Sequence, residues 1–352
     1  MRVYYDFQRL TQQKYGGVSR YFFELYTRMR TLGVDAHISC MRSINYYFRE
    51  QFKMHEVGNF FVRKSFAILN RAKALIEMRN YDIIHPTYYG CYMLGLHKGK
   101  LVVTVYDMIH EKFGGDMTTI NEKRRLLHAA DHIIAISEST KNDVLELYPD
   151  IPPEKISVIY LGSSMTELYS AGANPIGKRY VLFVGGRSWY KNFTRFAEAM
   201  RPILETHPDL YVLCIGSKPI ALDELGAAKN LSSRFIQANL NDEDLRQAYA
   251  NAECFVFPSE YEGFGIPVLE AFACNCPLLC SNASSLPEVA GDAAEYFAPL
   301  NAEEMSAKIL RVVDDEGLRE KMRASGHERL KLFSWDKTAA ETLDCYRHTL
   351  ES

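Results

Sequence analysis

The sequence predicts an α/β chain built on two doubly wound parallel sheets. Three observations predict it. Short apolar runs of strand length alternate with stretches of helical periodicity along the 352 residues, and that alternation is what builds a parallel sheet. The layout of strand, glycine turn and helix recurs three times, beginning at Val3, Tyr180 and Cys254. A stretch rich in Gly, Ser, Asn and Pro, from Gly162 to Gly177, lies between the halves and reads as a linker. Length alone favours two domains.

Composition narrows the function classes. Hydrophobic content of 47% and charged content of 24% are ordinary for a soluble globular chain. A net charge of -3 gives a nucleic-acid partner no global electrostatic support. The eight cysteines are scattered, several in apolar runs, and read as reduced core thiols. Cys274, Cys276 and Cys280 cluster, but their spacing fits no usual zinc pattern. The start, Met1 to Asp6, reads as a strand and not as a secretion signal. No apolar run has the length that spans a bilayer. The expectation is a cytoplasmic protein, with a peripheral position on the inner face of the membrane left open.

In the first half, Val3 to Phe7 is a strand, followed by Gly16-Gly17 and a helix with Val18, Tyr21, Phe22, Leu25 and Met29 on one face. Asp35 to Cys40 is a second strand. Residues 60–80 form a basic helix, with Phe61, Phe66, Leu69, Ala72, Leu75 and Ile76 apolar and Arg63, Lys64, Arg71, Lys73 and Arg79 opposite. Such a helix either lies on an anionic lipid surface or is an ordinary surface helix with snorkelling bases. Asp82 to Pro86 and Lys100 to Val105 are strands that end in polar clusters, where α/β sheets keep their site residues. Those clusters hold His85, Tyr106, Asp107 and His110, and each histidine reads equally as site or scaffold. His132 to Ile136 is a strand, with Ser139 or Thr140 to cap the helix over Asn142 to Leu147. Ile156 to Tyr160 is the last strand of this half.

In the second half, Tyr180 to Val184 is a strand, and Gly185-Gly186-Arg187-Ser188-Trp189-Tyr190-Lys191-Asn192 leads into a helix. Arg187 and Lys191 sit where a diphosphate would meet a helix start: Arg grips phosphate in a fork, and Lys is a mobile point charge. Strands follow at Tyr211 to Ile215 and Arg234 to Ile236, then a helix from Asp244 to Asn251. The central stretch runs from Cys254 to Glu270. Its strand Cys254 to Phe257 is stopped by Pro258-Ser259, then comes the loop Glu260-Tyr261-Glu262-Gly263-Phe264-Gly265, and Pro267 pre-sets a helix. Glu262 in the loop and Glu270 in the first helical turn place two carboxylates at the crevice, and carboxylates accept paired hydrogen bonds from vicinal hydroxyls. Pro277 to Ser281 and Ala294 to Phe297 are strands, 303–332 is helical by pattern, and Ser334 opens a last helix.

Glu262-x7-Glu270 around Gly263-Phe264-Gly265 resembles the signature of the family-4 retaining glycosyltransferases of the GT-B fold. Ser137-Glu138-Ser139-Thr140, Leu286-Pro287-Glu288-Val289-Ala290-Gly291 and Ala294-Glu295-Tyr296-Phe297 resemble that family too. The resemblance is sharp from 181 to 300 and loose in the first half. It implies two Rossmann-like domains facing across a cleft. Residues 1–165 would be the acceptor domain, 166–333 the donor domain, and 334–352 a helix packing back on the first.

It further implies that Glu262, Gly263, Phe264 and Gly265 meet the donor sugar and Glu270 holds the nucleotide ribose. Arg187 and Lys191 would stabilise the departing diphosphate, and Gly16-Gly17 would lie against that diphosphate. Family members often carry His-Asp where this chain has Tyr106-Asp107. Asp107 and His110 are the catalytic candidates there, with His110 or Tyr106 standing in for the family histidine. The donor would be GDP-mannose or a UDP-sugar, with no metal required. The acceptor would be a glycan or lipid-linked molecule of bacterial surface-polysaccharide assembly, and residues 60–80 would be the membrane contact. The alternative is a non-transferase protein of the same fold, a sugar-nucleotide epimerase or a regulatory binding subunit. A nucleotide-cofactor oxidoreductase is disfavoured, since Gly185-Gly186-Arg187 is not G-x-G-x-x-G.

Overall fold

The computed structural model describes every residue except 53–59, 164, 166–167, 170, 188 and 217, and no side chain of 51–65. Ser188 and the side chains of Phe61, Arg63 and Lys64, all named above, lie outside the described residues. The chain divides into two compact units, Met1–Gly162 with Trp335–Ser352, and Ser163–Ser334.

The first unit contains, in chain order, β1 (Arg2–Tyr5), α1 (Gln8–Gln12), α2 (Gly17–Thr31), β2 (Asp35–Ile38), α3 (Tyr46–Phe52), α4 (Phe60–Glu77), β3 (Ile83–His85) and β4 (Lys100–Val105). It continues with α5 (Ile109–Lys112), α6 (Met117–Ala129), β5 (His132–Ala135), α7 (Glu138–Leu147) and β6 (Ile156–Val158). Its six strands are parallel in the order β2-β1-β3-β4-β5-β6. β4 and β5 are buried along nearly their whole length, the condition of strands covered by helices on both faces.

The second unit contains β7 (Arg179–Val184), α8 (Phe193–Thr206), β8 (Leu210–Ile215), β9 (Phe235–Ala238), α9 (Asp242–Ala250), β10 (Cys254–Phe257), α10 (Ile266–Ala273) and β11 (Leu278–Ser281). It closes with α11 (Leu286–Ala290), β12 (Ala294–Phe297), α12 (Ala302–Asp314) and α13 (Glu316–Leu330). Its six parallel strands run in the order β12-β11-β10-β7-β8-β9. The core is dense in aromatics and Met: Phe183, Phe193, Phe196 and Met200 pack with Ile203, Met305 and Ile309. The last helix, α14 (Trp335–Glu351), belongs to the first unit, where Thr338 Oγ1 donates to the Tyr160 carbonyl at 2.7 Å and Arg28 meets Asp336 at 2.6 Å.

The structure revises three local readings. Helix α7 begins at Glu138, and its cap is Ser137, whose side chain accepts from Thr140 N; Ser139 and Thr140 lie inside the helix. The pattern over 303–332 is two helices, because Asp315 ends α12 and its carboxylate caps α13 through Leu318 N. Helix α4 turns Asn70, Ala74 and the following Met78 inward, while Ile68, Leu69 and Ile76 are exposed beside Arg71. Its buried face is thus not the apolar face that periodicity selects.

Candidate functional site

Sheet order locates the crevice of the second unit. β8 and β9 lie on one side of β7, and β10, β11 and β12 lie on the other. The connections leaving β7 and β10 therefore part in opposite directions, and the space between their carboxyl ends is where an open α/β sheet binds ligand. The loop after β7 carries Arg187 and Lys191, and the loop after β10 carries Glu260 to Gly265.

These two loops are joined. Glu260 N donates to the Tyr190 carbonyl at 2.8 Å, and Asn192 Nδ2 donates to the Pro258 carbonyl at 3.3 Å. Lys191 Nζ meets Glu262 Oε1 at 2.5 Å, with one-fifth of the lysine side chain and 12% of the glutamate exposed. Asn192 adopts the left-handed conformation, φ 57°, that turns the chain into α8. Asn192 makes no side-chain cap to α8, and a helix start of this kind favours an anion through its first-turn amides and its dipole.

The Glu262 loop is held from β11. Glu262 N donates to Ser284 Oγ at 2.8 Å, and Ser285 Oγ lies 2.9 Å from both the Glu262 and Phe264 carbonyls. Gly265 sits at φ 102°, and a Cβ there would lie 2.9 Å from Leu286 Cδ2, so only glycine fits. Phe264 is buried against Phe333, ring centroids 5.9 Å apart.

Glu270 is the fifth residue of α10 and so opens its second turn, not its first. Side chains tilt toward a helix N-terminus, so Glu270 still covers the start of α10. Tyr249 on α9 donates to Glu270 Oε2 at 3.3 Å. Burial, then the Glu270 charge, pushes the Tyr249 phenol well above its usual range, which keeps it a donor.

Arg187 is engaged away from Lys191 and Glu262. Its Nε meets Glu224 Oε1 at 3.0 Å, and its Nη2 lies 2.7 Å from the Lys218 carbonyl and 2.8 Å from that of Pro219. The side chain is 6% exposed. The sequence puts Arg187 beside Lys191 on a diphosphate, whereas here it faces the segment after β8. Tyr249, Glu224, Ser284 and Ser285 were not foreseen. Ser284-Ser285 had a signal, since they follow the carboxyl end of a strand. Tyr249 and Glu224 had none, because their reach depends on how separate elements pack.

In the first unit the sheet parts between β1 and β3. Buried Asp6 at the end of β1 accepts from Thr87 N at 2.9 Å and Tyr92 OH at 3.0 Å, and burial pushes its carboxyl above the usual range. Gly16 precedes α2 and Gly17 begins it. Tyr21 of that helix hydrogen-bonds Thr104 Oγ1 at 3.2 Å and its ring packs 5.9 Å from Tyr106, which links α2 to the end of β4.

Asp107 Oδ1 accepts from Ile109 N at 3.1 Å, and His110 Nδ1 accepts from Asp116 N at 3.1 Å. Fully buried Lys123 holds the Asp107 carbonyl at 2.9 Å and Glu111 at 2.8 Å. His85 is enclosed by the core. It is fully buried between Tyr346 OH at 2.6 Å and Thr104 Oγ1 at 2.8 Å, and burial pushes its ring down to about 3.

Among the described residues no three His, Cys, Asp or Glu side chains gather in a way that could hold a metal ion. Among them, too, no helix is long and apolar enough to cross a membrane.

Comparison with known proteins bears on the family and the fold. The family model for group 1 glycosyl transferases matches residues 166–329, and that for glycosyltransferase family 4 matches 15–165. The O-antigen chain mannosyltransferase B of Escherichia coli is 29% identical over 80% of this chain and 82% of its own. The alpha-maltose-1-phosphate synthase of Mycobacterium tuberculosis is 28% identical over 99% of each chain. The sucrose-phosphate synthase of Thermosynechococcus elongatus superposes with a TM-score of 0.76 at 19% identity, covering 98% of each chain. Anabaena HepE in complex with UDP and glucose superposes with a TM-score of 0.76 at 16% identity, covering 98% of this chain and 99% of its own. Matched through both halves, the chain belongs to the group 1, family 4 glycosyltransferases and has their GT-B fold.

Proposed function

We propose that this glycosyltransferase moves a hexose, with mannose favoured, from a nucleoside-diphosphate sugar to a glycan or lipid-linked acceptor, and that it retains the anomeric configuration. The observation that carries the reading is the Lys191–Glu262 pair, which seats a cation and a carboxylate together where β7 and β10 part. The resemblance to an E. coli O-antigen mannosyltransferase supports the choice of sugar and setting. That Anabaena HepE is seen with UDP and glucose supports a nucleotide-linked donor.

On this reading the donor diphosphate meets the uncapped start of α8 and Lys191, which neutralise charge as the phosphate leaves. Glu262 turns from Lys191 to the sugar hydroxyls and orients them. Glu270, steadied by Tyr249, accepts from the ribose diol. Asp107 and His110 are left for the acceptor side of the reaction, with Gly16 and Gly17 giving backbone access at the start of α2. Retention then follows same-face attack, with the departing phosphate oxygen taking the acceptor proton. No metal is required for this division of labour.

Helix α4 supplies the membrane part of the reading. Ile68, Leu69 and Ile76 are exposed and Arg71 lies among them, a face that suits an anionic lipid surface. Flotation with anionic but not neutral vesicles is the expected outcome.

The test of the main reading is a thermal-shift panel of GDP-mannose and UDP-hexoses, followed by turnover with lipid-linked acceptors, with and without EDTA, and by NMR of the product anomer. An inverted product overturns retention. A donor that binds but is never transferred favours the regulatory-subunit alternative.

A further inference from the structure

We infer that Tyr15 and Tyr46 form a stacking platform for a glycan, which holds the sugar residues behind the reacting end of the acceptor; the acceptor role rests on the transferase reading above. The two tyrosines are 58% and 43% exposed. Their rings lie 5.3 Å apart, tilted by 31°. Tyr15 directly precedes Gly16-Gly17 at the start of α2, and Tyr46 begins α3. The segment follows the carboxyl end of β1, where the first sheet parts.

The pair is held from behind. Ser43 and Asn45 are both fully buried. Ser43 Oγ donates to the Leu10 carbonyl at 2.6 Å and accepts from Asn45 N at 2.9 Å. Asn45 Nδ2 donates to the Gln13 carbonyl at 3.0 Å, and Tyr46 N donates to the Lys14 carbonyl at 2.9 Å. Separating Tyr15 from Tyr46 would leave these buried groups unmet. Tyr46 is also braced edge-on by Tyr47, ring centroids 5.9 Å apart, and Tyr47 lies 5.7 Å from Phe23 of α2. Two exposed aromatic rings are thus presented in a fixed arrangement, which lowers the ordering cost of binding.

A hexose chain is the occupant that fits. The C–H face of a pyranose is apolar and slightly positive, and an aromatic face carries the negative side of the ring quadrupole. Each tyrosine adds a hydroxyl that exchanges hydrogen bonds with sugar hydroxyls. Lys14 Nζ lies 5.7 Å from the centre of the Tyr15 ring and adds a donor beside it. A protein partner would need far more surface. Tyrosines bury about 150 to 250 Å² each when covered, so this half-exposed pair offers on the order of 200 Å², against about 800 Å² per partner in a stable interface. The aliphatic side chains suited to lipid, Ile68, Leu69 and Ile76, are on α4.

The test titrates wild type, Tyr15→Ala, Tyr46→Ala, Tyr15→Phe and Tyr46→Phe with α-linked manno-oligosaccharides and gluco-oligosaccharides of one to five residues. Calorimetry reads affinity, saturation-transfer NMR reads which sugar protons face aromatic rings, and GDP and UDP are titrated in parallel. Wild-type affinity for at least one series should rise with chain length. Each Ala variant should bind the pentasaccharide about tenfold more weakly, the scale for truncating an aromatic anchor, with nucleotide affinity unchanged. The Phe variants, which keep the ring, should lose much less. Wild-type protein that binds neither series, or Ala variants that bind as wild type does, overturns the inference. So does an equal loss in the Phe and Ala variants, since stacking would then contribute nothing. Ala variants that keep oligosaccharide binding but no longer float with anionic vesicles assign the platform to lipid instead. Saturation transfer to the sugar C–H protons of the wild type decides the point even where an Ala variant does not fold. Wild-type protein that binds oligosaccharide through the two tyrosines but neither GDP nor UDP overturns the donor reading and leaves the platform standing.

Discussion

Lys191 Nζ lies 2.5 Å from Glu262 Oε1, and this pair joins the loop after β7 to the loop after β10. The two residues are 71 positions apart in the chain, yet each is the other's charge partner in the absence of ligand. On the function proposed above, the donor separates them, offering phosphate to one and sugar hydroxyls to the other.

The first prediction follows from that exchange. Lys191→Ala should lower kcat by about 10² to 10³, the scale for loss of one charge-stabilising donor at a transition state. Glu262→Gln should cost both kcat and KM, since it removes sugar orientation and leaves Lys191 unpaired. A double-mutant cycle on kcat/KM should give a coupling of about 1 to 3 kcal/mol. Additive losses would mean that the two act on separate parts of the reaction.

Glu270 and Tyr249 give the second. Glu270→Ala should weaken nucleoside-diphosphate binding by about tenfold or more, as expected when a charged acceptor of two hydroxyls is lost. Tyr249→Phe removes only the hydrogen bond to Oε2, 3.3 Å long, and should weaken binding by less. Calorimetry with the free nucleotide reads both. Unchanged affinity in Glu270→Ala would remove its ribose role.

Gly265 gives the third. With φ at 102° and Leu286 Cδ2 only 2.9 Å from where a Cβ would sit, Gly265→Ala should destabilise the second unit by about 1 to 3 kcal/mol. The damage should extend to the loop, because Ser285 holds the Glu262 and Phe264 carbonyls next to it. The checks are a lowered Tm and a donor KM that rises even at temperatures where the variant is folded. A Tm within a degree of wild type would show that the turn relaxes freely.

How far these features were legible depends on how local they are. Lys100–Val105, Cys254–Phe257 and Ala294–Phe297 are strands at the residues the apolar runs mark, because Pro, Gly or Asp bound each run nearby. The pairing of Lys191 with Glu262 was legible only as two loops at strand ends, which sheet order then brought together. The contacts of Arg187 with Glu224 and the Lys218 and Pro219 carbonyls were not legible, because spacing along the chain gives no information on whether a long side chain reaches forward to a helix start or sideways to a loop more than 30 residues on. Helix α4 shows the same limit. Its period is helical, but its inward face is chosen by a neighbour, Asn70 Oδ1 accepting from Met41 N at 2.8 Å. The division of 303–332 was hidden because Asp315 interrupts an apolar period that both helices continue.

The last prediction concerns pH and the buried His85. In the unfolded chain His85 titrates near its ordinary value of 6.5, whereas burial in the folded unit pushes it down to about 3. Above the ordinary value neither state is protonated there, and stability does not depend on this ring. Below it the unfolded chain takes up a proton that the folded one refuses, so stability falls as pH falls, by about 1.4 kcal/mol per pH unit, until the folded ring itself would charge. His132 is lowered in the same direction, by burial and then by His348, and adds to the slope. Trp335, buried in the first unit with its ring 6.2 Å from that of Tyr21, reports this unit, and Trp189→Phe silences the other tryptophan. Urea unfolding followed by that fluorescence, from about pH 7 to about pH 5, should show stability dropping with pH in the His85-containing protein and a shallower drop in His85→Gln. Equal slopes in the two proteins would mean that His85 accepts a proton without cost, and its burial between Tyr346 and Thr104 would then have to open in solution.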